Sequence, residues 1–146
     1  LLQHLPELAS ERRAAAGAAY LAREPGLTAP QRNEMLQAAQ GILNDADLAE
    51  LFAPGGRAEA AVIGTSAKLP NGMIINGRVD RLVVTPQRVL VVDFKTDQPA
   101  PDDVSGVAAS YITQMAAYAA VLETAFPGRE VVAVLCWTDG PKMMRI

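Results

Sequence analysis

The sequence predicts an α/β domain in which an α-helical first third precedes a sheet of about five strands. Residues 1–53 are rich in leucine and alanine at helical spacing, whereas the chain beyond residue 55 contains runs with the character of strands. With 146 residues, of which 50% are hydrophobic, the chain can bury ~68–70% of its unfolded surface in one core. We therefore expect a single domain over 1–146, with a helical subregion at 1–53 and the main core at 55–146.

Local signals set the boundaries in the helical third. Glu24-Pro25-Gly26 interrupts the helical pattern, and Thr28 can cap a further helix whose first turn contains Pro30. Roughly two or three helices are therefore expected. Pro54-Gly55-Gly56 then marks the loop that leads into the strands.

Three consecutive strands, over 58–69, 73–84 and 87–96, are expected to form a meander. Pro70-Asn71-Gly72 is the first tight turn. Thr85-Pro86-Gln87-Arg88 fits a type I turn with proline at its second position.

The last part of the chain contains one long helix and two strands. A linker at 99–103 ends in aspartates that can cap a helix over 104–126, and Pro127-Gly128 stops that helix. The apolar run at 131–138 reads as a buried strand, and 143–146 supplies another.

The residues with the clearest chemical meaning lie in the second and third predicted strands. If their hairpin closes symmetrically about Pro86 and Gln87, Asp80 falls opposite Asp93, with Cβ atoms only ~5 Å apart. Two facing carboxylates destabilise a ladder unless a cation lies between them. Lys95 is two residues beyond Asp93 and so lies on the same strand face. Mg²⁺ suits such a site, because it takes one or two carboxylates and keeps water and phosphate oxygens.

This spacing is typical of a Mg²⁺-dependent phosphodiester hydrolase. The metal would acidify a water and polarise the phosphate, while the lysine orients the nucleophile or neutralises developing charge. A structural alternative stays open at this point. In it, Asp93 caps a strand end and Asp80 pairs with Arg78, Arg81 or Arg88.

Three ordered motifs surround these residues. They are Gly77-Arg78-Val79-Asp80-Arg81-Leu82, then Val91-Val92-Asp93-Phe94-Lys95-Thr96, then Tyr111-Ile112-Thr113-Gln114-Met115-Ala116-Ala117-Tyr118. The set resembles the G-x-[IV]-D-R-[LI], D-[FY]-K-[TS] and Y-x-x-Q-[LM]-x-x-Y blocks of RecB-type nucleases in the PD-(D/E)XK superfamily. Within them it resembles the C-terminal nuclease domain of AddA-like helicase–nuclease subunits. Similarity extends to Glu59 and to residues 135–141, while Val79 stands where the superfamily name has proline.

The resemblance implies a restriction-endonuclease-like core, with a mixed central sheet flanked by helices. It implies a metal-dependent deoxyribonuclease that uses Mg²⁺, with Mn²⁺ as a substitute. The implied metal ligands are Asp80, Asp93 and the backbone carbonyl of Phe94. Lys95 would act beside them in catalysis.

The long predicted helix carries further site candidates. Tyr111, Gln114 and Tyr118 are spaced i, i+3 and i+7 and share one face. A core stripe is the alternative, although a buried glutamine amide needs partners at both ends. The resemblance implies that Gln114 and Tyr118 line the active site as catalytic residues. We predict DNA contacts for Tyr111 and for Arg78, which shares a strand face with Asp80.

The one histidine is a candidate third metal ligand. In the resembling family the ligand histidine lies in a block like G-x-x-x-H-x-x-[LF]-[LF]-[EQ], and Leu1-Leu2-Gln3 matches its tail. That alignment places the ligand histidine just before residue 1. His4 is followed by Leu5-Pro6, which fits a continuing helix poorly, so we expect it to point elsewhere and residues 1–146 alone to bind metal weakly.

Composition constrains the partners. A net charge of −3 is unusual for a domain that holds DNA unaided, because nucleic-acid affinity depends mainly on Lys and Arg. The resemblance implies that a helicase motor of the same polypeptide feeds in a DNA strand, single-stranded in our prediction, and that a second helicase–nuclease subunit assists. No G-x-x-x-x-G-K-[ST] loop is present, so no ATP site is expected in this chain.

Cys136 is the only cysteine, which rules out a four-cysteine Fe–S cluster and favours a reducing, cytoplasmic setting. We expect it, and Trp137 beside it, to be core residues. No apolar run of ~18 residues indicates membrane insertion.

Two functions follow. The first is an exonuclease domain of a helicase–nuclease in double-strand-break repair. The alternative is a catalytically inactive nuclease-fold module for DNA guiding or subunit docking. The presence of Asp80, Asp93 and Lys95 together favours the first.

Overall fold

The computed structural model describes residues 1–138 and 142–146. Helices occupy the first third: a 3₁₀ helix Leu5–Glu7, α1 Ser10–Leu21, α2 Ala29–Asn44 and a 3₁₀ helix Ala46–Phe52. In the described residues, none of the helices has the length and apolarity needed to cross a membrane.

Helix α2 begins where the sequence predicts. The Thr28 hydroxyl accepts a hydrogen bond from the Gln31 N–H at 3.4 Å, and the Gln31 side chain accepts one from the Thr28 N–H at 2.9 Å. This reciprocal pair satisfies two backbone donors that the first helical turn leaves without partners.

Five strands form one mixed sheet in the order β1-β2-β3-β4-β5. They are β1 Gly56–Gly64, β2 Ile75–Val84, β3 Arg88–Lys95, β4 Glu130–Trp137 and β5 Lys142–Arg145. Strands β1 to β3 are an antiparallel meander, β3 and β4 are parallel, and β5 is antiparallel to β4. The crossover from β3 to β4 contains helix α3 Ala109–Ala125. This arrangement confirms the predicted α/β class and is consistent with a restriction-endonuclease-like core.

The first predicted strand is too long. Strand β1 ends where Gly64 pairs with Ile75, so 65–74 form a loop. The predicted turn at 70–72 is present within this loop, where the Met73 N–H donates to the Pro70 carbonyl at 3.0 Å. This loop packs toward α3, where Lys68 Nζ lies 2.6 Å from Glu123 Oε2. The contact with the helix explains the difference, because the loop residues take partners on α3 and not across a ladder.

The long predicted helix begins later than expected. A separate 3₁₀ turn, Val104–Gly106, comes first, and the Asp103 carboxylate caps it by accepting from the Ser105 N–H at 2.8 Å. Val107 and Ala108 are extended, with ψ of 136° and 130°, which breaks the helix before Ala109. The aspartate therefore caps the short turn and not α3.

The sheet separates two apolar layers. Helix α3 covers one face, where Met115 and Val121 join Val91 and Leu135 of the strands. Helix α2 and the 3₁₀ helix Ala46–Phe52 cover the other face. Their Ile42, Leu48 and Leu51 lie with Val83, Leu90, Val92 and Cys136. Cys136 and Trp137 are both fully buried, as predicted.

Strands β1 and β2 change faces midway. Val79 lies in the layer under α3, whereas Val83 lies in the opposite layer, although residues four apart in a regular strand share a face. The change occurs where Glu59 and Asp80 lie opposite each other, and Glu59 has a left-handed φ of +51°. Such a backbone conformation is uncommon for a residue other than glycine. The sheet is therefore irregular at the position of the first predicted metal ligand.

Candidate active site

Strands β2 and β3 pair in the register that the sequence predicts. The paired residues run from Val84 with Val89 to Arg81 with Val92. The next step along the hairpin brings Asp80 level with Asp93. The predicted register is therefore confirmed as far as Arg81 and Val92, and the facing of the two carboxylates stays a prediction.

The backbone ladder stops at this step. Alternation of the preceding pairs would make the Phe94 N–H donate to the Val79 carbonyl. Instead the Phe94 N–H donates to Oδ2 of Asp80, at 2.7 Å. The Asp80 side chain thus replaces a backbone acceptor, and its Oδ1 has no hydrogen-bond partner among the described residues.

Asp80 is half-buried and crowded by negative charge. Burial is the largest cause that raises the pKa of its carboxyl above the ordinary aspartate value. The hydrogen bond from Phe94 and the charge of Lys95 lower the pKa, whereas the negative charges of Asp93 and Glu59 raise it further. The net direction of the pKa is upward, because burial and the neighbouring negative charges together outweigh the hydrogen bond from Phe94 and the charge of Lys95.

The nearby arginines have other partners. These are Glu59 Oε2 at 3.6 Å for Arg78, Glu7 Oε1 at 3.6 Å for Arg81, and Glu50 Oε2 at 2.7 Å for Arg88. Arg81 is also buried and donates to the Leu51 carbonyl at 2.6 Å, in agreement with the face change at Asp80. In the part of the chain that the structure describes, no arginine forms an ion pair with Asp80. The structural alternative for this carboxylate is therefore not observed.

Asp93 and Lys95 lie on the same face of β3, as strand alternation predicts. Lys95 Nζ is 2.5 Å from Asp93 Oδ2, and the two side chains are only 12% and 14% exposed. The ammonium also lies 3.6 Å from the ring centroid of Tyr111, on helix α3. The structure therefore brings the lysine and this tyrosine together on the α3 side of the sheet.

Helix α3 places its other two candidates differently. Tyr118 is buried over Gly77 of β2, so closely that a Cβ atom at position 77 would overlap the tyrosine hydroxyl. Gln114 lies on the helix between Tyr111 and Tyr118, is exposed, and makes no side-chain hydrogen bond to the described residues. Gly77 of the first motif and Tyr118 of the third motif therefore pack directly against each other.

His4 does not join the two aspartates. Its ring lies 6.4 Å from that of Tyr20 on α1, and it lines a small cavity with Leu5 and Leu8. Asp80 instead lines a larger cleft of about 420 Å³ between α2 and the sheet, beside Phe94 and Gln3.

The donors that the structure collects are oxygens. Among the described residues, no group of three or more His, Cys, Asp or Glu side chains is arranged as a metal site. Mg²⁺ needs fewer, since it is commonly bound by one or two carboxylates and retains several waters. Oδ1 of Asp80 has no partner in the described residues, negative charges crowd this carboxylate, and Asp93 lies level with it. These oxygen donors fit a weakly held Mg²⁺ or Mn²⁺. The nitrogen and sulfur ligands typical of Zn²⁺ are absent from this group of residues.

Asp97 is a further candidate residue that the sequence motifs did not single out. Its Oδ1 accepts a hydrogen bond from the Tyr111 hydroxyl and its Oδ2 accepts one from the Trp137 indole N–H, both at 3.4 Å. The sequence contains one signal for this residue. Asp97 follows Asp93 and Lys95 at a spacing of two, and strand residues at that spacing lie on the same face.

Comparisons with known proteins agree with this geometry. The family model described as the PD-(D/E)XK nuclease superfamily matches residues 1–143, which is nearly the whole chain. A comparison with curated proteins finds no match. In the closing motif at 135–141, Asp139, Gly140 and Pro141 lie outside the described residues.

Proposed function

The chain belongs to the PD-(D/E)XK nuclease superfamily, whose members are generally nucleases, and we propose that it is a Mg²⁺-dependent deoxyribonuclease. One observation carries this proposal. Where the β2–β3 ladder ends, the half-buried Asp80 carboxylate lies level with Asp93, has a free oxygen and no arginine partner in the described residues, and is near the Lys95 ammonium. Such a group of oxygen donors is suited to binding a divalent cation.

The residues divide the chemistry among them. Asp80 and Asp93 would hold the cation, with the Phe94 carbonyl as a further ligand. When bound, Mg²⁺ supplies an acidified water and polarises the phosphate. Lys95, fixed at 2.5 Å from Asp93, orients the attacking water and offsets the charge that develops on the phosphate oxygens.

Three further residues support this arrangement. The exposed amide of Gln114 contacts the DNA backbone or the attacking water. Tyr118 packs against Gly77 and so fixes the strand that carries Asp80. Arg78, whose side chain is 67% exposed, contacts a phosphate, since its pairing with Glu59 at 3.6 Å is a weak surface ion pair.

The substrate in this proposal is a single DNA strand. The cleft beside Asp80 is lined mainly by apolar and uncharged residues, and the net charge is −3, so the domain is poorly suited to holding DNA unaided through its phosphates. A helicase motor of the same polypeptide would feed the strand to an exonuclease site, with a second helicase–nuclease subunit, in double-strand-break repair. The likeness to AddA-like subunits supports this setting.

A cleavage assay tests the proposal. With Mg²⁺ and a single-stranded oligonucleotide, Asp80→Ala, Asp93→Ala and Lys95→Ala should each lower the cleavage rate by about 10²-fold or more. Lys68→Ala is the matched control, because Lys68 is an exposed lysine in an ion pair with Glu123 of α3. Full activity in Lys95→Ala would overturn the proposal and point to the inactive guiding or docking module.

Metal binding can be tested without catalysis. Millimolar Mn²⁺ should raise the melting temperature of the wild type, because a ligand that binds only the folded state stabilises it. Asp80→Asn should abolish this rise, whereas Asp102→Asn, at a fully exposed carboxylate, should retain it. Equal responses of wild type and Asp80→Asn would contradict the metal site.

A further inference from the structure

The contacts of Tyr111 are made within the protein. The face of its ring lies against the Lys95 ammonium, 3.6 Å from the ring centroid. Its hydroxyl donates a hydrogen bond to Oδ1 of Asp97 at 3.4 Å. The two parts of the side chain that could read a nucleic acid, the aromatic face and the polar end, are therefore both engaged.

Asp97 is held in turn by the core. Its Oδ2 accepts a hydrogen bond from the Trp137 indole N–H at 3.4 Å, and Trp137 is fully buried at the end of β4. A continuous set of contacts thus runs from a buried indole through Asp97 and Tyr111 to Lys95. This set of contacts is anchored in the core at Trp137 and ends at the Lys95 ammonium.

Lys95 needs such support because its stem has several freely rotating bonds. Asp93 attracts the ammonium from one side at 2.5 Å. A single carboxylate would not fix the direction of the ammonium, and it would be a weaker partner once a cation shared it. The aromatic face supplies a second, uncharged partner that a cation does not compete for, because the ring attracts the ammonium through its quadrupole.

We propose that Tyr111 is a positioning residue whose ring face, fixed by Asp97 and Trp137, holds the Lys95 ammonium in place. This role differs from the DNA contact that the sequence predicts for Tyr111. Its catalytic consequence depends on the proposed nuclease function, whereas the geometry itself does not.

Nuclear magnetic resonance tests the geometry without any cleavage. The chain has three lysines, Lys68, Lys95 and Lys142, so selective labelling of the lysine ε-carbons gives three assignable signals. In the wild type, the Lys95 ε-methylene protons should be shifted upfield by the ring current, relative to the other two. The shift should persist in Tyr111→Phe and disappear in Tyr111→Leu. Persistence in Tyr111→Leu would overturn the proposal.

Controls separate folding from positioning. Tyr20→Leu removes an exposed tyrosine of α1 that lies beside His4, and it should leave the Lys95 signal unchanged. If Tyr111→Leu does not fold, Tyr111→Met fills similar space without a ring and is read in the same way. Asp97→Asn should reduce the upfield shift less than Tyr111→Leu, because an amide oxygen still accepts one of the two hydrogen bonds.

Kinetics then separate positioning from DNA contact. For a positioning residue, Tyr111→Leu should lower kcat by about tenfold with little change in KM, and Tyr111→Phe should recover most of the loss. A DNA contact through the hydroxyl would instead raise KM in both variants alike, which would contradict the proposal. If the wild type cleaves no DNA while the ring-current shift behaves as expected, the nuclease proposal fails and the positioning contact stands.

Discussion

The two ends of the β2–β3 hairpin satisfy their polar groups in different ways. At the turn end, Thr85 N–H donates to the Arg88 carbonyl at 2.9 Å and Arg88 N–H to the Thr85 hydroxyl at 3.0 Å, and Arg88 pairs with Glu50. At the open end, the Asp80 carboxylate replaces a backbone acceptor and has no arginine partner in the described residues. The turn end is a neutralised, regular ladder, whereas at the open end Lys95 pairs with Asp93 and the Asp80 carboxylate has no ion-pair partner in the described residues.

This difference between the two ends of the hairpin separates residues that stabilise the fold from residues that take part in the proposed chemistry. Asp80 and Arg81 are neighbours in the chain, yet Arg81 is 2% exposed and bonded to the Leu51 carbonyl, on the opposite face from the α3 layer. The change of faces at Glu59 and Asp80 separates Arg81 from Val79, which lies in the layer under α3. Residues on the turn side of this change are expected to affect stability most, and those on the open side to affect activity as well.

The largest expected effect is at the turn end. Leu90 is 1% exposed, so Leu90→Ala should lower the free energy of unfolding by ~2–5 kcal/mol through lost burial and a cavity. Guanidinium denaturation measures the change. Ile63→Ala, at a residue that is 65% exposed on β1, is the control and should change stability by about 0.5 kcal/mol or less. Similar losses of unfolding free energy in the two variants would contradict the expectation that residues at the turn end stabilise the fold.

A smaller effect is expected from Gly77 at the open end. Gly77→Ala should destabilise the fold by ~1–3 kcal/mol, because the new Cβ atom overlaps the Tyr118 hydroxyl and ring. Tyr118→Phe removes the nearest clashing atom, so the double variant should be more stable than the sum of the two single changes predicts. Strictly additive unfolding free energies would show that the two residues do not share this contact.

The smallest expected effect has the opposite sign. The raised pKa of Asp80 means that the folded state binds its proton more tightly than the unfolded state, so ionisation of this group costs stability as the pH rises through the folded pKa. Without metal, Asp80→Asn should therefore be more stable than the wild type at pH 7. The difference should vanish as the pH falls below ~3.9, the ordinary aspartate value.

Urea denaturation in a chelating buffer over this pH range measures the effect. Asp102→Asn is the control for the loss of one negative charge at an exposed position. A stability gap for Asp80→Asn that widened toward low pH would contradict the direction of the pKa shift and, with it, the crowding at the open end.

The sequence predicted what depends on local chemistry. The Thr28 cap of α2 and the register that brings Asp80 level with Asp93 follow from side chains and turn residues within a few positions. It did not predict what depends on distant packing. The early end of β1 results from contacts of its following loop with α3, and the change of faces at Glu59 requires a left-handed residue that strand periodicity does not reveal.

The candidate site follows the same division. Asp93 and Lys95 share a face because alternation along one strand is a local rule. Asp97 was missed because its partners, Tyr111 and Trp137, come from a helix and a strand that only the tertiary fold brings to it. The roles proposed for Gln114 and Arg78 stay predictions that cleavage assays must test.

The contact between Gly77 and Tyr118 couples the two positions in the divergence of related sequences. A larger residue at position 77 overlaps the tyrosine hydroxyl, and a smaller residue at position 118 leaves a cavity above the glycine. Either change alone therefore lowers stability, whereas a paired change can restore the packing. Relatives that carry a side chain at the first position should accordingly lack the tyrosine at the second.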